Sequence, residues 1–207
     1  MLLNVTISSS APMLQHNGEL VCPTNKWALA MKEITKKRAK TAADLIELAR
    51  LEYYGGIVLT DEGRPGVPGE WLEACIKEGA KKTKQGKEAT ATVVVDGIFP
   101  LEYKGPQTVE DLWADKSGKF VKSCGARIAQ AKVWRTRPMF PVWKLTFCLE
   151  YLHDIVDEKT VLDWLETAGR VVGIGDWRPK YGRFVIEHVE RVDAAPSSKA
   201  TLKKGKK

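Results

Sequence analysis

The residues whose types and spacing could do chemistry are concentrated in GIGDWRPKYGRF, residues 173–184. Three glycines (Gly173, Gly175, Gly182), three cations (Arg178, Lys180, Arg183) and three aromatics (Trp177, Tyr181, Phe184) share these twelve positions. Amides freed by glycine can approach a phosphate closely, the cations can neutralise it, and Trp177 or Tyr181 can stack on a base. The stretch is not a Walker loop, because no Gly-Lys-Ser/Thr follows. Gly-x-Gly-x-x-Arg also misses the dinucleotide fingerprint and follows a helix where that motif requires a strand. The plain alternative is a long turn whose glycines permit positive φ and whose Trp177 packs on the core.

Charge placement supplies a second clue. Between residues 116 and 148 lie eight cations (Lys116, Lys119, Lys122, Arg127, Lys132, Arg135, Arg137, Lys144) and no carboxylate. Gathered on one surface, they would attract phosphate. Alternatively, Arg135 and Arg137 pair with Asp176, Glu187 or Glu190 across neighbouring strands. Residues 194–207 hold five lysines and no acid, so of the net charge of +7 only 7 − 5 = +2 belongs to the remainder. Such a composition reads as a disordered basic tail that adds non-specific attraction to any polyanion. The candidate nucleic-acid-binding residues are therefore Arg127, Lys132, Arg135, Arg137, Gly173, Gly175, Trp177, Arg178, Lys180, Tyr181 and Arg183. Trp134 and Trp143 are further candidate stacking platforms.

Other chemistries find little support. Cys22, Cys75, Cys124 and Cys148 are scattered without C-x-x-C spacing, and His16, His153 and His188 are equally dispersed, so neither a metal site nor a cofactor is expected. No run approaches the roughly 18 apolar residues that cross a bilayer, and the first residues lack the pattern of a signal peptide. A cytoplasmic location with no membrane partner is the expectation.

The elements that must position these residues follow from periodicity. Leu3, Val5 and Ile7 alternate with polar residues over 2–9 and predict a half-buried strand. Thr41 caps a helix over 41–54, and Trp71, Leu72, Cys75, Ile76 and Ala80 give a helix over 70–82 an apolar face. Residues 90–95 and 142–151 read as strands. Asp157 caps a helix running to Ala168, and 183–192 is the last strand. Residues 97–122 break the pattern and read as an irregular excursion. With the helix over 41–54 set aside as part of an insertion, the order is βαββαβ, an α+β fold of ferredoxin-like (RRM-like) type: an antiparallel sheet with two helices on one face. The chain is expected to form one domain over 1–193, with large insertions at about 10–67 and 97–135.

A glycine-rich loop between the second helix and last strand of such a unit resembles the signature of the RAMP superfamily, the RNA-binding proteins of CRISPR effector complexes. Gly66-Val67-Pro68-Gly69 before Glu70-Trp71-Leu72 looks like the turn that opens the first helix there, although Glu70 stands where a small hydroxyl residue is common. The insertions and the early Ala11-Pro12-Met13-Leu14 look most like the backbone subunits that polymerise along a guide RNA. Arg135-Thr136-Arg137-Pro138 with Trp143 is also similar to bacteriophage proteins that look like stand-alone relatives. The resemblance implies a protein that binds single-stranded DNA or RNA with little sequence preference and assembles along it as a homo-oligomer or filament. A phage assembly or anti-defence protein is the alternative, with Trp113 on an interlocking arm over 97–125. Third stands a metal-independent ribonuclease, for which His16 is the one candidate base; catalysis is not the expectation.

Overall fold

The structure, a computed structural model, describes residues 1–128 and 131–192, with the backbone alone at 126–128 and 131–132. The chain opens with strands β1 (Leu2–Ser9) and β2 (Met13–Leu14), then helices α1 (Lys26–Thr35) and α2 (Ala42–Gly56). Strand β3 (Gly66–Pro68) leads directly into α3 (Gly69–Ala80), followed by α4 (Gly86–Thr92), β4 (Val93–Val94) and β5 (Ile98–Glu102). Next come α5 (Val109–Ala114) and a hairpin of β6 (Val121–Ile128) and β7 (Ala131–Phe140). The last elements are β8 (Lys144–Tyr151), α6 (Glu158–Val171) and β9 (Phe184–Val192).

The main sheet has the order β3-β5-β8-β1-β9, with β4 also on β8, and every pairing is antiparallel. Alternation decides its faces. Leu3, Val5 and Ile7 of β1 and Leu145, Phe147 and Leu149 of β8 are buried, and each such side chain contributes about 1.5–3 kcal/mol. They are covered by α3, through Leu72, Cys75 and Ile76, and by α6, through Val161, Trp164 and Leu165. Two helices on one face of a β9-β1-β8-β4/β5 sheet make the fold ferredoxin-like. The helix starts follow their caps: Asp157 accepts from the Thr160 amide, and Thr41 with Asp44 forms a capping box.

A second layer, β2-β7-β6, packs against α2. Gln15, fully buried, ties it to the main body by donating to the Gly66 carbonyl (2.8 Å) and accepting from the Val58 amide (3.0 Å). Tyr103, Phe120 and Phe140 form an edge-to-face cluster beside it.

Four segments differ from the sequence expectation. Residues 90–92 end a helix instead of opening a strand, because the Thr90 and Thr92 hydroxyls bond carbonyls one turn back, Gly86 and Glu88. The 97–122 excursion contains β5, whose Leu101 pairs with Leu145, and α5. Trp113 on α5 packs on Tyr53 with ring centroids 5.2 Å apart, so it serves the core and not an arm. The polar region before residue 41 holds α1, opened by Asn25, whose side chain accepts from the Trp27 and Ala28 amides. The strand expected to begin at 142 begins at Lys144.

Candidate nucleic-acid interface

The glycine-rich loop is threaded against the chain that follows β1. The Gly182 amide donates to the Pro12 carbonyl (2.7 Å), the Asp176 amide to Leu14 (2.8 Å), and the Ile174 amide to Gly182 itself (2.9 Å). Glycine is required at two of these crossings. A Cβ on Gly182, at φ 77°, would lie 1.7 Å from the Ile174 oxygen, and one on Gly175, at φ 80°, 2.2 Å from the Leu14 oxygen. The amides of Gly173, Trp177 and Tyr181 are also bonded internally. The glycines thus fix the loop's path by close backbone contact, and these amides are already committed, which corrects the expectation of a free amide cradle at Gly173. The Gly173 carbonyl accepts from Cys75 Sγ at 3.1 Å, and burial pushes that thiol up to about 12.

The acid-free segment meets this loop through Asp176. Arg137 Nε donates to Asp176 Oδ2 at 2.8 Å, and Arg137 Nη1 donates to Glu52 Oε1 at 2.9 Å. Glu52 also accepts from Arg135 Nη1 (3.2 Å) and from the Thr136 amide (2.8 Å). Glu52 and Arg137 are 6% and 7% exposed, so two guanidinium groups and two carboxylates make a neutral clamp joining α2, β7 and the loop. Arg137 was a candidate phosphate ligand. It is instead a buried tie, because two acids neutralise it and little of it reaches solvent. Arg135 is partly exposed but shares Glu52, and Lys144 pairs with Glu187 across the sheet at 2.7 Å. The partner that sequence reasoning missed is Glu52, a carboxylate on the same helical stripe as Leu48 and Gly55.

What remains open lies beyond the clamp. Arg178, Lys180 and Arg183 are exposed and form no ion pair among the described residues. Trp177 and Tyr181 are half-buried with ring centroids 6.2 Å apart, and Lys180 Nζ stands 5.8 Å from the Tyr181 centroid. Trp134 on β7 is 68% exposed, whereas Trp143 is 1% exposed and donates to the Ala11 carbonyl, which removes it as a stacking platform. The Arg127 and Lys132 side chains lie outside the described residues, although their backbones pair across the hairpin. The basic segment 194–207 also lies outside them.

The helix-free face of the main sheet offers a different surface. Its rows Cys148-Asn4-Glu190 and Thr146-Thr6-His188 contain no Phe, Tyr or Trp, and Thr6 and Thr146 bond each other at 3.0 Å. Glu150 and Glu190 add negative charge there, while Glu187 is paired with Lys144. A base-stacking platform of RRM type is therefore not built on this face.

His16 borders a small cavity of about 150 Å³ with Trp71, Asp176 and Arg178. Its Nδ1 is buried without a hydrogen-bond partner among the described residues. Burial first, then the positive Arg137, holds the imidazole below its ordinary pKa. Among the described residues no cluster of three His, Cys, Asp or Glu is arranged to hold a metal, and no helix is long and apolar enough to cross a membrane.

No family model and no curated protein matches the chain. Among solved structures it is similar to a chain from the cryo-EM structure of the Type III-B Cmr-beta bound to cognate target RNA. The TM-score is 0.51 at 13% identity, over 94% of this chain. The chain spans 61% of the length of that neighbour. At this identity the likeness is one of fold, and it agrees with the α+β, ferredoxin-like architecture read from the strand order above.

Proposed function

We propose that the chain binds single-stranded nucleic acid at the glycine-rich loop, with the exposed face of the β6–β7 hairpin beside it. Arg178, Lys180 and Arg183 meet phosphates, while Trp177, Tyr181 and Trp134 offer rings to unstacked bases. One observation carries this reading: three cations without acidic partners among the described residues flank an aromatic pair on a loop held in place by the Glu52–Arg137–Asp176 clamp. Contacts of this kind read charge and ring faces, not base edges, so sequence preference is weak. The likeness to a chain of the Type III-B Cmr-beta bound to cognate target RNA supports the class of ligand. Several copies lining one strand is part of the same proposal. The basic segment 194–207 adds non-specific attraction.

The test is a titration of intrinsic tryptophan fluorescence with a single-stranded oligonucleotide. Quenching that weakens steeply with salt is expected; an unchanged signal at low salt would overturn the proposal. Binding without cleavage is part of the same reading; among the described residues the cavity at His16 is lined by no lysine or tyrosine. Labelled RNA should therefore survive incubation with the wild type as well as with His16→Ala.

A further inference from the structure

A second concave surface has the opposite charge to the loop. A cleft of about 940 Å³ opens where the start of α3 and the β4–β5 turn face α1 and the end of α2. Its aromatic wall is Trp27, Tyr54 and Trp71, with Trp27 and Tyr54 edge to face at 5.6 Å. Its rim carries Glu19, Glu70, Asp96 and Glu110, all exposed and none in an ion pair among the described residues. Glu70 and Glu110 also favour the first turns of α3 and α5, which accounts for their place at a helix start but not for four acids facing one aromatic cleft.

Such a cleft repels a phosphate backbone and suits lysine side chains, whose stems lie on rings while their ammonium groups meet carboxylates. The chain's own Lys26 illustrates the fit, with Nζ 4.8 Å from the Trp27 centroid. A matching segment exists in the same sequence: residues 194–207 hold Lys199, Lys203, Lys204, Lys206 and Lys207 and no acid. That segment follows Val192 at the end of β9, one edge of the sheet, whereas the cleft is walled by Pro68 of β3 and Ile98 of β5 at the other edge.

We propose that the cleft receives residues 194–207 of a second copy of this chain. A contact from the β9 edge of one copy to the β3–β5 edge of the next joins two different surfaces, so it leaves one cleft and one segment open for a further copy and can repeat in a row. This gives the head-to-tail order needed to line a strand, and to that extent it rests on the proposed function. The contact itself requires no nucleic acid, so the two readings fail separately.

The experiment measures self-association of the full chain by sedimentation at low salt without nucleic acid, with a synthetic peptide of residues 194–207 as a probe. Wild type should associate, and the peptide should both disperse the assemblies and change Trp27 and Trp71 fluorescence. Glu70→Lys with Glu110→Lys should weaken peptide binding by at least about tenfold. Adding Lys203→Glu, Lys204→Glu and Lys206→Glu to that variant should restore association by swapping the charges, which separates the contact from damage to the fold. A wild type that stays monomeric at every concentration, a peptide that binds the reversed cleft equally well, or a swap that rescues nothing would each overturn the proposal. The oligonucleotide titration reads the loop independently of all three.

Discussion

Replacing Arg178 and Arg183 together by alanine should change how salt weakens oligonucleotide binding while leaving the fold intact. Both side chains are exposed and neither is paired with an acid among the described residues, so each is free to displace a counterion from the strand. Each phosphate contact on a single strand contributes about 0.7 to the slope of log affinity against log salt, so the double variant should lose about 1.4. Between about 50 and 200 mM salt, a fourfold change, that difference amounts to about 0.8 decades: the variant's affinity should fall roughly sevenfold less than the wild type's. The assay is fluorescence anisotropy of a labelled oligonucleotide at four salt concentrations, with the melting temperature measured alongside. Surface substitutions of this kind cost within about 0.5 kcal/mol of stability, so melting should barely move. An unchanged slope with unchanged melting would refute the assignment of these arginines to phosphate.

The clamp should behave in the opposite way. Arg137→Ala leaves Glu52 and Asp176 without their shared cation and should cost about 3–5 kcal/mol in denaturant unfolding, whatever the ligand does. The Tyr53 hydroxyl is buried without a partner among the described residues, so Tyr53→Phe should be neutral or stabilising by up to about 1 kcal/mol in the same assay. Burial and Arg137 hold the His16 pKa below that of the unfolded chain, so the unfolded state takes up a proton first as pH falls. This contribution is intact above about pH 6.5 and is lost progressively below it. The melting temperature should therefore drop between about pH 7.5 and 5.5, and less so in His16→Gln.

The parts of the fold legible in the sequence were those governed by local rules. Alternation marked β1, the apolar face of 70–82 marked α3, caps at Thr41 and Asp157 marked α2 and α6, and with the last strand at 183–192 most of the βαββαβ order was in view. Elements set by distant contacts were not legible. Strand β5 contains Pro100 and forms through pairing with β3 and β8, and α4 holds threonines whose hydroxyls satisfy its own carbonyls. At the candidate site the composition of the loop was plain, but the charge state of the acid-free segment was not. Pairing of Arg137 with Asp176 was one of the arrangements the sequence left open. The larger neutralising partner, Glu52, lies on a helix 85 residues earlier, where a reading of apolar stripes passes over a carboxylate. Likewise, seven tryptophans suggest a sticky surface, yet Trp143 and Trp164 are core, and 68% exposure singles out Trp134.

Ultraviolet crosslinking of a bound single-stranded oligonucleotide, read out by mass spectrometry at residue level, tests the central claim most directly. The account predicts adducts at Trp177 and Tyr181, with Trp134 as a further site. Adducts confined to the helix-free sheet face around His188 and Cys148, or to the acidic cleft at Trp27 and Trp71, would contradict it.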